Sequence, residues 1–282
     1  MKMSAMSLKA RIRNIAKSKN INPQILLQNF MFERFLERLS LSEYKDNFII
    51  KGGMLITAII GIDIRSTMDL DATFRGMHFS FENISEMIAT ICNNNVDDGV
   101  VMTIYSISPI RSDDVYGGFR VKINAILDNI IVPFSIDVST GDIITPHAVK
   151  YVLRGVVDEN KQIEIWAYNI ETVMAEKLET IFQRNILSTR PRDFYDVYIL
   201  STTQTYNSEL LGEALIATAK HRGTLEQISD KQAILSLISN SDELKRMWDK
   251  YRNSFNYASE ISYERIIKAL YDICQKISQI PD

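Results

Sequence analysis

Past Asn169 the sequence never returns to strand-like alternation, while before it strand-like runs recur. That single change of period restricts the fold more than any other feature. Apolar residues spaced two apart put one side of a strand in a core, and spacings of three and four do the same for a helix. From 169 on, helical spacing is expected over 170–187, 192–201, 207–220, 224–238, 241–253 and 259–278. Before it, residues 7–40 read as two helices, with Ser7 able to cap the first and Pro23 early in the second, where its missing N–H costs nothing. Phe48-Ile49-Ile50 is a short apolar run ending in Lys51-Gly52-Gly53, with a helix from Met54 to Ile60 behind it. Strands are expected over 68–74, 100–107, 118–127, 131–138 and 162–167, with a helix over 81–92. The expectation is an α+β chain, with a mixed sheet and flanking helices over 1–168 and an all-helical half over 169–282.

Composition removes several classes. The chain has 282 residues, 46% of them hydrophobic and 24% charged, which is ordinary for a globular protein with a real core. A net charge of −3 gives no global basic field, so any contact with nucleic acid has to use a local patch. Cys92 and Cys274 sit in apolar helical patterns without metal or disulfide spacing, so both read as buried reduced thiols of a cytoplasmic protein. The basic start carries no apolar run of signal-peptide length, and no stretch approaches the ~20 apolar residues of a membrane span.

The chemistry gathers around acids. Asp69 and Asp71 are two apart on an expected strand, with Leu70 and Ala72 facing the other way, so both carboxylates share one face. Carboxylates that close repel unless a cation lies between them, and hard divalent ions such as Mg²⁺ or Mn²⁺ take carboxylate oxygens together with substrate phosphates. The glycines at 52 and 53 let backbone approach a phosphate at a helix N-terminus. Asp137 is the lone acid of an otherwise apolar strand, Pro133 to Val138, and could bring a third carboxylate to the same face. Each fragment has a plainer reading: a surface pair, a tight turn, an exposed edge acid. In the helical half Lys177 falls within an apolar stripe with Val173 and Ile181, where an ammonium needs a partner or must snorkel. Asp193 falls in the first turn of a helix opened by Pro191, and Asp196 shares its face.

Taken in order, five segments resemble the AbiEii/AbiGii-type nucleotidyltransferase toxins, within the polymerase-β-like nucleotidyltransferase superfamily. They are Lys51-Gly52-Gly53, the run Arg65 to Asp71 (RSTMDLD), the run Ser135 to Asp142 (SIDVSTGD), Ala175 to Glu179 (AEKLE) and Arg192 to Asp196 (RDFYD). Gly53 departs from the wider superfamily, which often has serine there, so no hydroxyl is offered to a phosphate. The resemblance implies a nucleotidyltransferase-type sheet whose active site the helical half completes. It implies catalytic roles for Asp69, Asp71, Asp137, Lys177 and Asp193, with the first three holding Mg²⁺ or Mn²⁺ and Asp137 completing that site or acting as base. Lys51, Gly52, Gly53, Arg65, Thr67 and Lys177 are expected at the nucleotide. Glu176, Arg192 and Asp196 are expected in support, and Arg190 and Arg222 could add positive charge. The implied reaction moves a nucleotide from an NTP to RNA, with the tRNA 3′ end the leading acceptor, under control of a cognate antitoxin encoded nearby in phage defence. Transfer to a protein side chain, or nucleotide binding without turnover, stands as the alternative. His78, His147 and His221 show no metal spacing, and Walker, kinase and GxSxG motifs are absent.

Overall fold

The alternation read along the strands becomes the two faces of one sheet. The computed structural model describes residues 4–65, 67–110 and 117–277. These divide into two compact units, 1–142 with 149–167, and 143–148 with 168–282.

The first unit holds a seven-stranded sheet. Its strands are β1 (Phe48–Lys51), β2 (Leu70–Phe74), β3 (Val101–Pro109), β4 (Gly118–Leu127), β5 (Ile130–Thr140), β6 (Val149–Arg154) and β7 (Gln162–Ala167). Across the sheet the order is β3-β4-β5-β2-β1-β7-β6. The β1–β7 and β2–β5 pairs are parallel and the other four antiparallel. Helices α1 (Ala5–Lys19), α2 (Pro23–Ser40), α3 (Gly52–Ile60) and α4 (Phe81–Asn93) complete it. One face is apolar: Leu70, Ala72, Phe74, Val121, Ile123, Phe134, Ile136 and Val138 are all buried. Helix α2 packs on it through Phe32 and Phe35, whose rings meet Phe134 edge-on at centroid distances of 5.3 and 6.3 Å. Burying each such side chain contributes roughly 1.5–3 kcal/mol.

Polar side chains inside this unit are paired. Arg38, 3% exposed, forks onto Asp98 with two bonds of 2.8 Å and also donates to the Val100 carbonyl at 2.7 Å, tying α2 to the entry of β3. Cys92 is buried, and burial pushes its thiol up to about 12.

The second unit is helical: α5 (Ile170–Arg184), α6 (Pro191–Thr203), α7 (Ser208–Arg222), α8 (Lys231–Ser239), α9 (Asp242–Ser254) and α10 (Tyr263–Lys276). Asn169 caps α5 and at the same time donates to the carbonyls of Thr145 and His147, which is how residues 143–148 join this unit. Trp248 is buried and donates to the Ile261 carbonyl at 2.9 Å, while Tyr195, Tyr251, Phe255 and Tyr257 form one ring cluster. Cys274 is also buried, its thiol pushed up to about 11 by burial.

Sequence and structure agree on an α+β chain and differ at particular elements. Helix α1 is capped by Ser4, not Ser7, and α3 begins at Gly52, two residues before the expected start. Strand β2 begins at Leu70, so Asp69 precedes it. Strand β6 was not expected, although Val149, Tyr151 and Leu153 alternate with the exposed Lys150, Val152 and Arg154: at the sheet edge only Leu153 is fully buried and the run is short. The helix expected over 224–238 starts only at Lys231, where Asp230 caps it, and 224–230 is a turn. Residue 278, the last of the expected final helix, lies outside the described residues.

Arg38→Ala should lower unfolding free energy by about 3 kcal/mol, because it strips the partner from a buried carboxylate. Denaturant midpoints of the two proteins at equal m-value measure this.

Candidate active site

Strand β2 lies between β1 and β5, and its register sets a line of charge. Lys51 is opposite Asp71 across β1–β2, Asp71 is beside Asp137 across β2–β5, and Asp137 is opposite Arg120 across β5–β4. Residues in register share a face. The row Lys51, Asp71, Asp137, Arg120 therefore runs across four strands on the face opposite the apolar core, with carboxylates in the middle and cations at the ends. One step along the strands, Thr73 is in register with Ser139 on the same face.

Both cations are engaged. Lys51 Nζ donates to Ser139 Oγ at 2.8 Å and pairs with Asp142 Oδ2 at 2.5 Å. The same Asp142 oxygen accepts from Ser139 Oγ at 2.7 Å and from the Thr73 hydroxyl. Burial pushes the Asp142 carboxyl up, but Lys51 and the two hydroxyls outweigh burial and hold it below the usual carboxylate range. Arg120 forks onto Asp137, with Nε to Oδ1 at 2.7 Å and Nη2 to Oδ2 at 2.6 Å. That pair raises the guanidinium above its ordinary range, and the charges of Asp69 and Asp71 add to the effect.

The glycines are required by close approach. Gly52 has φ +64°, and a Cβ built on it would lie 2.2 Å from Asp71 Oδ2. A Cβ on Gly53 would lie 2.7 Å from Thr67 Oγ1 and 2.8 Å from Arg65 Nη1. Arg65 is 2% exposed and donates to the Gly53 carbonyl; Thr67 is 3% exposed and accepts the Asp69 amide. Behind them α2 pins the loop, with Asn29 donating to the Thr67 carbonyl and Gln28 to that of Met68. Arg65 and Thr67, expected at the nucleotide, are buried and hold the glycine turn, with Asp69 exposed beside them. Lys51 is likewise bound into the Asp142 network, with its side chain 15% exposed.

The donor chemistry of Asp69, Asp71 and Asp137 suits a hard divalent cation, and a guanidinium already lies in the field of all three. In this arrangement no group of three His, Cys, Asp or Glu among the described residues is placed to hold a metal. Asp137 has both oxygens on Arg120 instead of on a shared ion.

In the helical unit Lys177 of α5 reaches α6, with Nζ 2.5 Å from Asp193 and 3.4 Å from Asp196. Both aspartates are buried, at 1% and 0% exposure. Arg190 Nε also donates to Asp193 at 2.5 Å. Burial raises the Asp193 carboxyl, and Lys177 and Arg190 together bring it below its usual range. Glu176 pairs with Arg222, which also holds Glu179. Arg222 is therefore tied to α5, and Arg192 is half-buried in the first turn of α6.

Arg120, Asp142, Thr73 and Ser139 were not expected as site residues. Asp142 and Ser139 lie inside the Ser135–Asp142 segment and carried a faint signal. Arg120 carried none, since only strand pairing puts it opposite Asp137.

Two outcomes follow. Gly52→Ala should cost about 1–2 kcal/mol for its left-handed backbone, besides displacing Asp71; a crystal structure of the variant and its thermal midpoint check both effects. Asp142→Asn should destabilise the protein at neutral pH. A carboxyl held low contributes stability above its unfolded pKa and loses it as pH falls through the folded one. The gap between wild type and Asp142→Asn in chemical denaturation should accordingly close on acidification below about pH 4.

The model of the family described as "Nucleotidyl transferase AbiEii toxin, Type IV TA system" matches residues 34–269. A crystal structure of a candidate nucleotidyltransferase from H. pylori is similar in fold, with a TM-score of 0.50 and 15% identity, covering 93% of this chain and 100% of that one. JHP933 from Helicobacter pylori (TM-score 0.43, 16% identity, 83% and 98% covered) is a more distant match. So is an antigenic nucleotidyltransferase-like protein from Paracoccidioides brasiliensis (0.39, 14%, 80% and 93%). No curated protein matches the chain. With most of its length matched by one family model, the chain belongs to the AbiEii family of nucleotidyltransferase toxins of type IV toxin–antitoxin systems.

Proposed function

We propose that the chain transfers a nucleotide from an NTP to the 3′ end of an RNA, with tRNA the acceptor class. The observation that carries the reading is the row of in-register charges beside the Gly52 turn, which sets Asp71 next to Asp137 on the sheet face away from the apolar core. Asp69 and Asp71 would hold Mg²⁺ or Mn²⁺, and Asp137 would complete that site. When bound, the ion supplies charge neutralisation to the triphosphate and to the attacking oxygen. The backbone N–H groups that open α3 at Gly52 have no side-chain cap and would suit phosphate oxygens. The terminal hydroxyl oxygen of the acceptor bonds to the α-phosphorus as the bond to the β-phosphate bridge breaks. Pyrophosphate leaves with that electron pair, and the hydroxyl proton passes to water. Positioning and electrostatics do most of this work.

The family resemblance gives Lys177 a role at the NTP phosphates, and within the helical unit Asp193 and Asp196 hold its ammonium. A lysine held by two buried carboxylates keeps a fixed direction, which is what a phosphate contact needs. RNA is favoured as acceptor because Arg120 and Lys122 stand exposed on the acidic face, a local patch on a chain of net charge −3. The choice of tRNA rests on the family resemblance, as do the nearby-encoded antitoxin, the cytoplasmic location and the role in phage defence. Among the described residues no helix is long and apolar enough to cross a membrane.

Incubation with each α-labelled NTP, Mg²⁺ and total RNA, followed by gel separation, tests the reaction. Label is expected in RNA, and oxidation of the 3′-terminal diol with periodate should block it. Label in protein instead would move the acceptor to a side chain. Asp69→Asn should reduce transfer by about 100-fold or more while remaining folded, and Lys177→Ala should lose transfer together with stability, since Asp193 and Asp196 are left without their ammonium. Expressed without its antitoxin the protein should slow growth, and Asp69→Asn or Asp193→Ala should relieve it; equal toxicity of wild type and Asp69→Asn would indicate a non-catalytic poison.

A further inference from the structure

The acid that β5 places beside Asp71 already has a partner. Arg120 donates to both Asp137 oxygens through Nε and Nη2, at 2.7 and 2.6 Å, in the parallel fork that gives guanidinium–carboxylate pairs their geometry. The contact is built into the sheet. The β4–β5 register that sets Arg120 opposite Asp137 runs unbroken from Gly118 to Leu127, so the two side chains meet by backbone pairing. Strand register also puts Asp137 beside Asp71, so the guanidinium is bound to the neighbour of an acid of the proposed cation site.

We propose that Arg120 is a latch on that site, a resident cation that holds Asp137 away from a divalent ion until it is displaced. The inference rests on the metal assignment made above. A guanidinium fork and a divalent ion compete for the same carboxylate oxygens and repel each other. Room for release exists: the Arg120 side chain is 49% exposed, against 25% for Asp137. A destination exists as well, since pairs of non-bridging oxygens on a triphosphate accept the two parallel N–H bonds of a guanidinium. The free protein then binds divalent ions weakly through Asp69 and Asp71. An incoming NTP draws Arg120 off Asp137, and the third carboxylate joins the site only when substrate is present.

The test uses Mn²⁺ alone, titrated into the full chain and followed by loss of the paramagnetic resonance signal of the free ion. Wild type, Arg120→Gln, Asp137→Asn and the double variant are compared. Arg120→Gln should bind Mn²⁺ more tightly by about fivefold, the scale of a partly exposed charge pair. In the Asp137→Asn background the same substitution should change nothing. Arg120→Lys, which keeps the charge and loses the fork, should fall between wild type and Arg120→Gln, and serves as the second variant should glutamine perturb folding. Unchanged or weaker Mn²⁺ binding by Arg120→Gln overturns the latch, and so does a gain that survives in the Asp137→Asn background, which would make Arg120 a diffuse field effect. Tighter Mn²⁺ binding without any nucleotide transfer by wild type would keep the latch and remove the proposed reaction. Transfer with unchanged Mn²⁺ binding would do the opposite.

Discussion

Gly52 and Asp71 approach so closely that a single added carbon on the glycine would lie inside the carboxylate's contact distance. Much of the first unit serves this approach. The antiparallel β1–β2 ladder brings Asp71 opposite Lys51, one residue before the turn. From the far side Arg65 and Thr67 close on Gly53, and α2 fixes the Thr67–Met68 backbone through two amide side chains. The turn, the start of α3 and the acidic strand are therefore one rigid object. Asp69 and Asp71 are presented by packing, with buried support beneath and exposed oxygen above.

Such an arrangement stores charge that has to be balanced. Carboxylates in register on neighbouring strands repel, and a sheet tolerates them only with cations close by. Here the compensation comes from the same register, with Lys51 at one end of the row and Arg120 at the other. The two ends are not alike. Lys51 is drawn into a largely buried network around Asp142, whereas Arg120 is half in solvent and forks onto a single acid. The row is thus buried on the glycine side and half in solvent on the Asp137 side.

The helical unit solves a related problem with different means. Lys177 emerges from an apolar helix face, and Asp193 and Asp196 meet it from inside the core of α6. Removing one member of such a buried cluster leaves charge without compensation, at a cost of about 3–5 kcal/mol. The cluster is therefore held together by the same desolvation that makes each member expensive alone. Arg222 performs a similar service for Glu176 and Glu179.

Much of this was legible in the residues. The change of period near Asn169 separated strand-rich from helical sequence, the alternation from Leu70 to Phe74 turned Asp71 away from the apolar face, and the glycine pair marked a turn that backbone must approach. Lys177 announced a partner by sitting in an apolar stripe. All of these are local: they depend on residues within a turn or a strand of one another, where the periods of helix and strand decide direction. Arg120, Asp142 and the edge strand β6 were not legible in the same way. Within one strand the period of two tells which residues share a face, but nothing in that period tells which residue of another strand lies opposite. That depends on register, and register is settled by the apolar face of the whole sheet packing against α2. Sequence alone determined that the chain would carry acids on a strand behind a glycine turn; only the tertiary structure decided that Asp137 stands beside Asp71 and that a guanidinium holds it there, because a one-residue slip would have sent the same side chains into the core.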